Sequence, residues 1–332
     1  MNSDNGGEDV PGQEIDQQVI MPLLNDRLVL DRVKLDDLLL AALRVRPAAV
    51  MMIPADLPDG QDLGRHVDQR FSQRYYTGSD PASPWPASLG RRLRDAGLRA
   101  LLNPVSFKMR ILAEVFQDEL RDFDSYLALF RWARRLGLET YEADVRPTIR
   151  ELYFYRDPAV LPRLQALAAR RREIRRHGTA IHSNGVRTFT PFPEDFTEDY
   201  VTMAGSILGY PQCCVEAAAR ERAADVAPLE IRSARQISAL RASGDEPDPY
   251  AFFVAGFVPC HPKCEAAAAV GHRAAEALEE IDPRLADLYT RGLAQNLEQV
   301  SRFPELMKEQ EERMRERLQA GLAQIAGDDQ AG

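Results

Sequence analysis

The first 190 residues alternate between helix-like and strand-like patterns of apolar positions. Apolar residues recur every three or four positions over 28–43, which is typical of a helix with one buried face. Similar patterns predict helices near 107–120 and 125–136, and another that ends at about residue 176. Short apolar or aromatic runs instead predict strands at 49–53, 98–102 and 151–155.

A tight turn at Asn184-Gly185 separates two further strand-like runs, 179–183 and 186–190. Asn-Gly favours the turn of a β-hairpin, so we predict a hairpin here. Beyond residue 191 nearly every apolar pattern is helical. The predicted helices are 197–208, 211–224, 230–242, 262–280, 282–300 and 303–325. We therefore predict an α+β fold, in which an α/β-type N-terminal part is followed by a mostly helical C-terminal part.

These patterns divide the chain into four regions. Residues 1–18 are acidic and Gly-rich and predict a disordered tail, and 19–190 form the mixed α/β region. A helical region with cysteine motifs follows at 191–302, and 303–332 hold an amphipathic helix and a tail. One apolar stripe of that helix offers a surface for docking on the body or on a second copy, as in a homodimer. The stripe is Met307, Met314, Leu318, Leu322 and Ile325.

Composition and charge narrow the function classes. The chain has 332 residues, of which 45% are hydrophobic, so it is long and apolar enough to bury a core. Its formal net charge of -9 argues against a broad nucleic-acid-binding surface, which needs basic residues. No apolar run is long enough to span a membrane, and the acidic start does not resemble a secretory signal. We expect a soluble cytoplasmic protein with a small-molecule or protein partner.

All 4 cysteines lie in two short segments, 209–214 and 259–264. Pro211 and Pro262 each suit the first position of a helix, which places the neighbouring cysteines in or beside first turns. The positive end of a helix favours the thiolate, and the thiolate is the form that binds a metal or attacks an electrophile. The two segments therefore predict one shared sulfur site.

The predicted metal ligands are Cys213, Cys214, Cys260 and Cys264. Cys260 and Cys264 would lie on one side of a helical turn if that helix begins early enough. Neighbouring residues of a helix diverge by about 100°, so two adjacent sulfurs reach one small zinc ion only with local distortion. A bulkier iron-sulfur cluster has separate iron atoms and accommodates adjacent ligands more easily. We therefore expect an iron-sulfur protein with a possible enzymatic role, with a structural zinc site or a metal-free thiol enzyme as alternatives.

Three polar residues are candidates for lining a bound cofactor: Tyr210, His261 and Lys263. His261 lies between two cysteines, and Lys263 is next to a thiol whose pKa a nearby ammonium lowers. If only one of the adjacent cysteines binds the metal, His261 or His272 is the replacement ligand. A surface position remains the favoured interpretation for Lys263 and for His272.

The two cysteine segments also resemble a known pattern. G-Y-P-x-C-C within 208–214 and F-x-P-C-x-P-x-C within 257–264 resemble the motifs of an uncharacterised prokaryotic family classed as a domain of unknown function. The resemblance lies within 150–285, and Ala217-Ala218-Ala219 stands where we would expect a bulky aromatic residue in relatives. It implies that the two motifs act together, and it implies no particular activity.

Two charged segments have simpler interpretations. The arginines within 170–176 predict a solvated helix face, although such a run could also dock a phosphate or an acidic partner. The acidic residues within 194–199 predict favourable charge at a helix start, with Asp195 and Glu198 forming a capping box.

Overall fold

The computed structural model describes residues 17–77, 104–177, 180–183, 186–189, 192–224 and 228–328. The chain forms two compact units, which divide between Leu161 and Pro162. The sequence placed its change from mixed to helical structure later, after residue 190. Nearly all of the predicted tail, the predicted strand at 98–102 and the Asn184-Gly185 turn lie outside the described residues.

The N-terminal unit combines helices with one antiparallel sheet. Its helices are α1 (Gln17–Asn25), a π-helix (Val33–Leu39) that continues into α2 (Leu40–Ala42), α3 (Gly60–Ser72) followed by a π-helical turn (Gln73–Thr77), α4 (Pro104–Arg121) and α5 (Asp124–Arg135). The helix predicted over 28–43 is thus present, but most of it has the wider π form. Its apolar residues from Val33 to Leu40 are buried, as the pattern predicted, whereas Leu28, Leu30 and Leu43 of the predicted span are half-buried.

The sheet has three strands: β1 (Ala48–Ile53), β2 (Glu139–Arg146) and β3 (Ile149–Tyr155), in the order β1-β3-β2. The sequence predicted β1 and β3 because they are apolar, and it missed β2. Half of the residues of β2 are charged because β2 is an edge strand, where water accepts polar side chains. Arg150 of β3 forms salt bridges with Glu142 and Asp144 of β2, and these charged contacts support the pairing of the two strands.

The C-terminal unit is helical apart from one hairpin. The long helix α6 (Val160–His177) begins just before the unit boundary, and the predicted hairpin follows as β4 (Ala180–Ser183) and β5 (Val186–Phe189). The remaining helices are α7 (Glu198–Ile207), α8 (Gln212–Ala223), α9 (Leu229–Ala242), α10 (Glu265–Ile281), α11 (Pro283–Ser301) and α12 (Phe303–Asp328). Together the two units confirm the predicted α+β fold with a helical C-terminal part. Within the described residues, no helix combines the length and the apolar character that a membrane crossing requires.

Two charged groups are buried: Arg171, which the sequence placed on a solvated helix face, and Glu194, which it placed at a helix start. Arg171 of α6 and Glu194 are 5% and 2% exposed, and they form an ion pair at 3.4 Å. Arg175 completes the pairing, with its Nε donating to Glu194 at 3.1 Å. The predicted capping box is also absent, because Thr197 is the N-cap of α7 and no side chain caps it. Glu194 therefore joins α6 to the following turn through a buried ion pair, while Glu198 and Asp199 lie in the first turn of α7, where the sequence predicted favourable acidic charge.

An irregular segment between α9 and α10 is held in place by α11. A short 3-10 turn (Pro249–Phe252) packs against α10 and α11. Tyr289 of α11 donates its hydroxyl to the Phe253 carbonyl at 2.7 Å, and Asn296 donates to the Phe252 carbonyl at 3.1 Å. These bonds satisfy backbone carbonyls that have no hydrogen-bond partner within a regular helix or sheet.

The glycines of α10 and α11 test this packing. A Cβ added at Gly271 would lie 2.3 Å from the Tyr250 carbonyl oxygen, whereas a Cβ at Gly292 of α11 would meet nothing within 4 Å. We expect Gly271→Ala to lower the free energy of unfolding by about 1–3 kcal/mol, because the 3-10 turn must move away. Gly292→Ala, the matched control, should raise it by about 0.5–1 kcal/mol. Urea denaturation of both variants measures the difference, and equal stabilities would contradict the close approach.

Candidate metal centre

The four cysteine sulfurs meet at one point of the C-terminal unit. All four Sγ atoms lie within 4.8 Å of one another. The Sγ–Sγ distance is 3.9 Å between Cys213 and Cys214, and 3.7 Å from each of them to Cys264. The two segments thus form the shared sulfur site that the sequence predicted, and this group could hold a metal ion.

The first segment turns the chain sharply between α7 and α8. Gly209 has a φ of 72°, which is the left-handed conformation that commonly ends a helix, and Tyr210 N–H donates to the Gly205 carbonyl at 2.9 Å. Pro211 is the N-cap of α8, and its carbonyl accepts the Cys214 N–H at 2.9 Å. Cys213 and Cys214 therefore lie in the first turn of α8, as predicted.

The second segment is a loop whose two ends converge. The predicted helix start at Pro262 is wrong, because α10 begins at Glu265 and Cys264 is its N-cap. The Cys264 N–H donates to the His261 carbonyl at 2.9 Å, which closes a tight turn between the two cysteines. The Cys260 N–H donates to Cys214 Sγ at 3.4 Å. Cys260 and Cys264 thus approach each other from the two ends of a turn rather than along one side of a helix.

The spacing of the sulfurs resembles one coordination sphere. A metal–sulfur length of about 2.3 Å gives a tetrahedron whose edges are about 3.8 Å. The three distances above are 3.7–3.9 Å. Cys213 and Cys214 reach this spacing within a helix that starts at Gln212, so the distortion expected for adjacent ligands is not needed. Rotation about the side-chain torsions compensates for the divergence of the two Cβ directions.

Burial disfavours uncompensated negative charge in this cluster. It raises the pKa of the Cys214 thiol well above its usual range and raises the pKa of Cys260 to about 11. Burial also acts to raise the pKa of Cys264, but hydrogen bonds from the Ala267 N–H and the neighbouring thiols hold that pKa below its ordinary value. Several thiolates in one such pocket repel each other, and a bound cation would compensate for their charge.

Arg232 of α9 fixes the loop that carries Cys260. Its guanidinium donates to the carbonyls of Cys260 and Pro259 at 2.6 and 3.1 Å. The same group bonds Glu221 of α8 at 2.8 Å, so it links the helix of the first cysteine segment to the loop of the second. Sequence analysis did not identify Arg232, because it lies far from both motifs and its neighbours form an ordinary helical pattern.

The other predicted site residues lie around the sulfur cluster without belonging to it. His261 and Lys263 are exposed, and the Lys263 ammonium pairs with Asp245 at 2.8 Å. Tyr210 packs its ring 4.8 Å from the ring of Phe257. His272 stacks on Tyr250 with ring centroids 3.9 Å apart. In the described part of the chain, no histidine joins the four cysteines as a potential metal ligand.

Comparisons of the chain with protein-family models, with curated proteins and with solved structures found no match. The resemblance to a prokaryotic family therefore stays a prediction that rests on the two cysteine segments. The geometry of the cluster carries the functional argument.

Arg232 gives a test of how the site is positioned. Arg232→Met keeps the apolar stem of the side chain but removes the guanidinium donors, so the Cys260 loop should lose its link to α8. We expect added Zn²⁺ to bind about 10–100-fold more weakly, as is usual when a group behind a metal ligand is removed. Competition with a chromophoric chelator measures this affinity. Arg235→Met, an exposed position on the same helix, is the matched control, and similar affinities in both variants would refute the role of Arg232.

Proposed function

We propose that Cys213, Cys214, Cys260 and Cys264 bind one zinc ion that stabilises the C-terminal unit. The observation that carries this proposal is the Sγ–Sγ spacing of 3.7–3.9 Å among Cys213, Cys214 and Cys264, which matches the edges of a tetrahedral zinc–thiolate site. The Sγ atom of Cys260 lies within 4.8 Å of these three. The ion joins the start of α8 to the loop before α10. These segments are about 50 residues apart, so an ion bound by the folded state stabilises a contact between distant parts of the chain.

A closed set of four cysteines supports a structural role for the zinc. Catalytic zinc sites keep one position open for water or substrate, whereas four protein ligands fill a tetrahedron. The zinc-binding interaction protein expected from the sequence as an alternative fits this ligand set. The metal is then part of the folding energy, because the site exists only when both segments are in place.

An iron-sulfur cluster is the second candidate. Its support is chemical, because thiolates are the ordinary ligands of such clusters. In a four-iron cluster each cysteine binds a different iron on the outside of the cluster, so the sulfurs stand farther apart than around one ion. All four Sγ atoms here lie within 4.8 Å of one another, and this compactness favours the single ion.

Metal analysis distinguishes these candidates. We expect anaerobically purified protein to be colourless and to contain about one zinc per chain and no acid-labile sulfide. Iron with sulfide would establish the cluster instead, and a metal-free protein would refute both forms of the proposal.

Substitutions assign the ligands. Cys264→Ser should lose most of the zinc and lower the thermal midpoint, because it removes one thiolate from a buried set. His261→Ala is the matched control from the same loop, and it should keep its zinc since His261 lies outside the sulfur cluster. Zinc content by mass spectrometry and calorimetric unfolding give both readouts. Loss of zinc from His261→Ala but not from Cys264→Ser would contradict this ligand set.

A further inference from the structure

A cavity of about 250 Å³ lies beside the sulfur cluster in the C-terminal unit. α7, α8, the start of α9 and the segment 256–258 contribute to its walls. Most of its lining is apolar, and it includes Val201, Ala204, Leu208, Val215, Ala218 and Leu229. Its volume is near the lower end of the roughly 300–1,000 Å³ that small-molecule sites occupy, so a small ligand would fill it.

The charged groups of this cavity carry an excess of negative charge. Asp195 and Glu230 are its carboxylates, and Arg222 is its guanidinium. Arg222 pairs with Asp195 at 3.8 Å. Glu230 is half-buried, and no basic group of the described residues forms a salt bridge with it. Among the described residues, the Glu230 carboxylate thus has no basic side chain paired with it at the edge of this apolar space.

Aromatic side chains complete the lining. Tyr210 and Phe257 both face the cavity, with ring centroids 4.8 Å apart at an interplanar angle of 46°. The faces of aromatic rings attract cations, and a carboxylate supplies the matching charge. Aromatic rings combined with an unpaired carboxylate are typical of sites that bind organic ammonium groups.

We propose that this cavity binds a small organic cation, namely a protonated amine with an apolar body. The amine pairs with Glu230, and the apolar body fills the space between α7 and α8. An anionic ligand fits the charges less well, because the guanidinium of Arg222 is already paired and is 39% exposed.

The cavity and the metal centre share two structural elements. Cys214 lines the cavity, and α8 continues from it to Ala218 and Arg222. The segment that contributes Phe257 and Val258 leads directly into Cys260. A metal ion at the sulfurs would hold both walls in position, so amine affinity should fall when the metal is removed. This coupling rests on the proposed zinc site, whereas the amine site does not.

Calorimetric titration with 2-phenylethylammonium tests the amine site in the full chain. We expect binding at neutral pH and an affinity loss of about 10–100-fold for Glu230→Gln, which keeps the shape of the side chain but removes its charge. Glu198→Gln is the matched control, because Glu198 is an exposed acid in the first turn of α7 and does not line the cavity. Ala218→Leu should abolish binding by filling the space.

Three outcomes would overturn the amine site: no binding to folded protein, equal affinity of Glu230→Gln and the unmodified chain, or tighter binding of 3-phenylpropanoate. Circular dichroism of each variant confirms that it is folded. Repeating the titration after chelation separates this proposal from the zinc site. Amine affinity that chelation leaves unchanged would contradict only the coupling, and amine binding by a protein purified without metal would contradict the zinc proposal and the coupling. A protein that contains zinc but does not bind the amine would contradict only the cavity proposal.

Discussion

The convergence of four sulfur atoms is the constraint on which the C-terminal unit depends. Two segments about 50 residues apart must bring their thiols within 4.8 Å of one another. Burial makes that arrangement costly for thiolates, since like charges in a space of low polarity repel strongly. A cation at the centre would convert this repulsion into attraction, and the fold then has a reason to keep together four sulfurs of which only that of Cys213 belongs to an exposed residue.

The loop that contains Cys260 is held by side chains from two helices and by the close approach of a third. It has no strand or helix to satisfy its backbone, so its carbonyls need other donors. Tyr289 and Asn296 of α11 bond the carbonyls of residues 252 and 253, and Arg232 of α9 bonds those of residues 259 and 260. α10 approaches the same segment at Gly271, where no larger side chain fits. The position of one sulfur therefore depends on packing across the whole unit.

The sequence predicted what depends on local pattern and missed what depends on tertiary contacts. Most helices and two of the three sheet strands followed from apolar periodicity, and the cysteine cluster followed from two short motifs. β2 was missed because an edge strand can be half charged. Arg171 was assigned to a solvated helix face and Glu194 to a helix start, because the sequence does not show that the two side chains form a buried ion pair. The late start of α10 and the role of Arg232 depend on bonds between distant segments, which no spacing reveals.

The sequence also could not decide between a single ion and a cluster, because that choice depends on the side-chain rotation of Cys213 and Cys214. Helical geometry sets the directions of neighbouring Cβ atoms about 100° apart, which disfavours two adjacent ligands on one ion. The sulfur lies one rotatable bond farther out, and that rotation brings the Sγ atoms of Cys213 and Cys214 to 3.9 Å. Residues four apart then extend the same face of α8 from Cys214 through Ala218 to Arg222. One helix thus carries two of the clustered sulfurs and a wall of the cavity, so a shift of α8 at the sulfurs also moves the cavity wall.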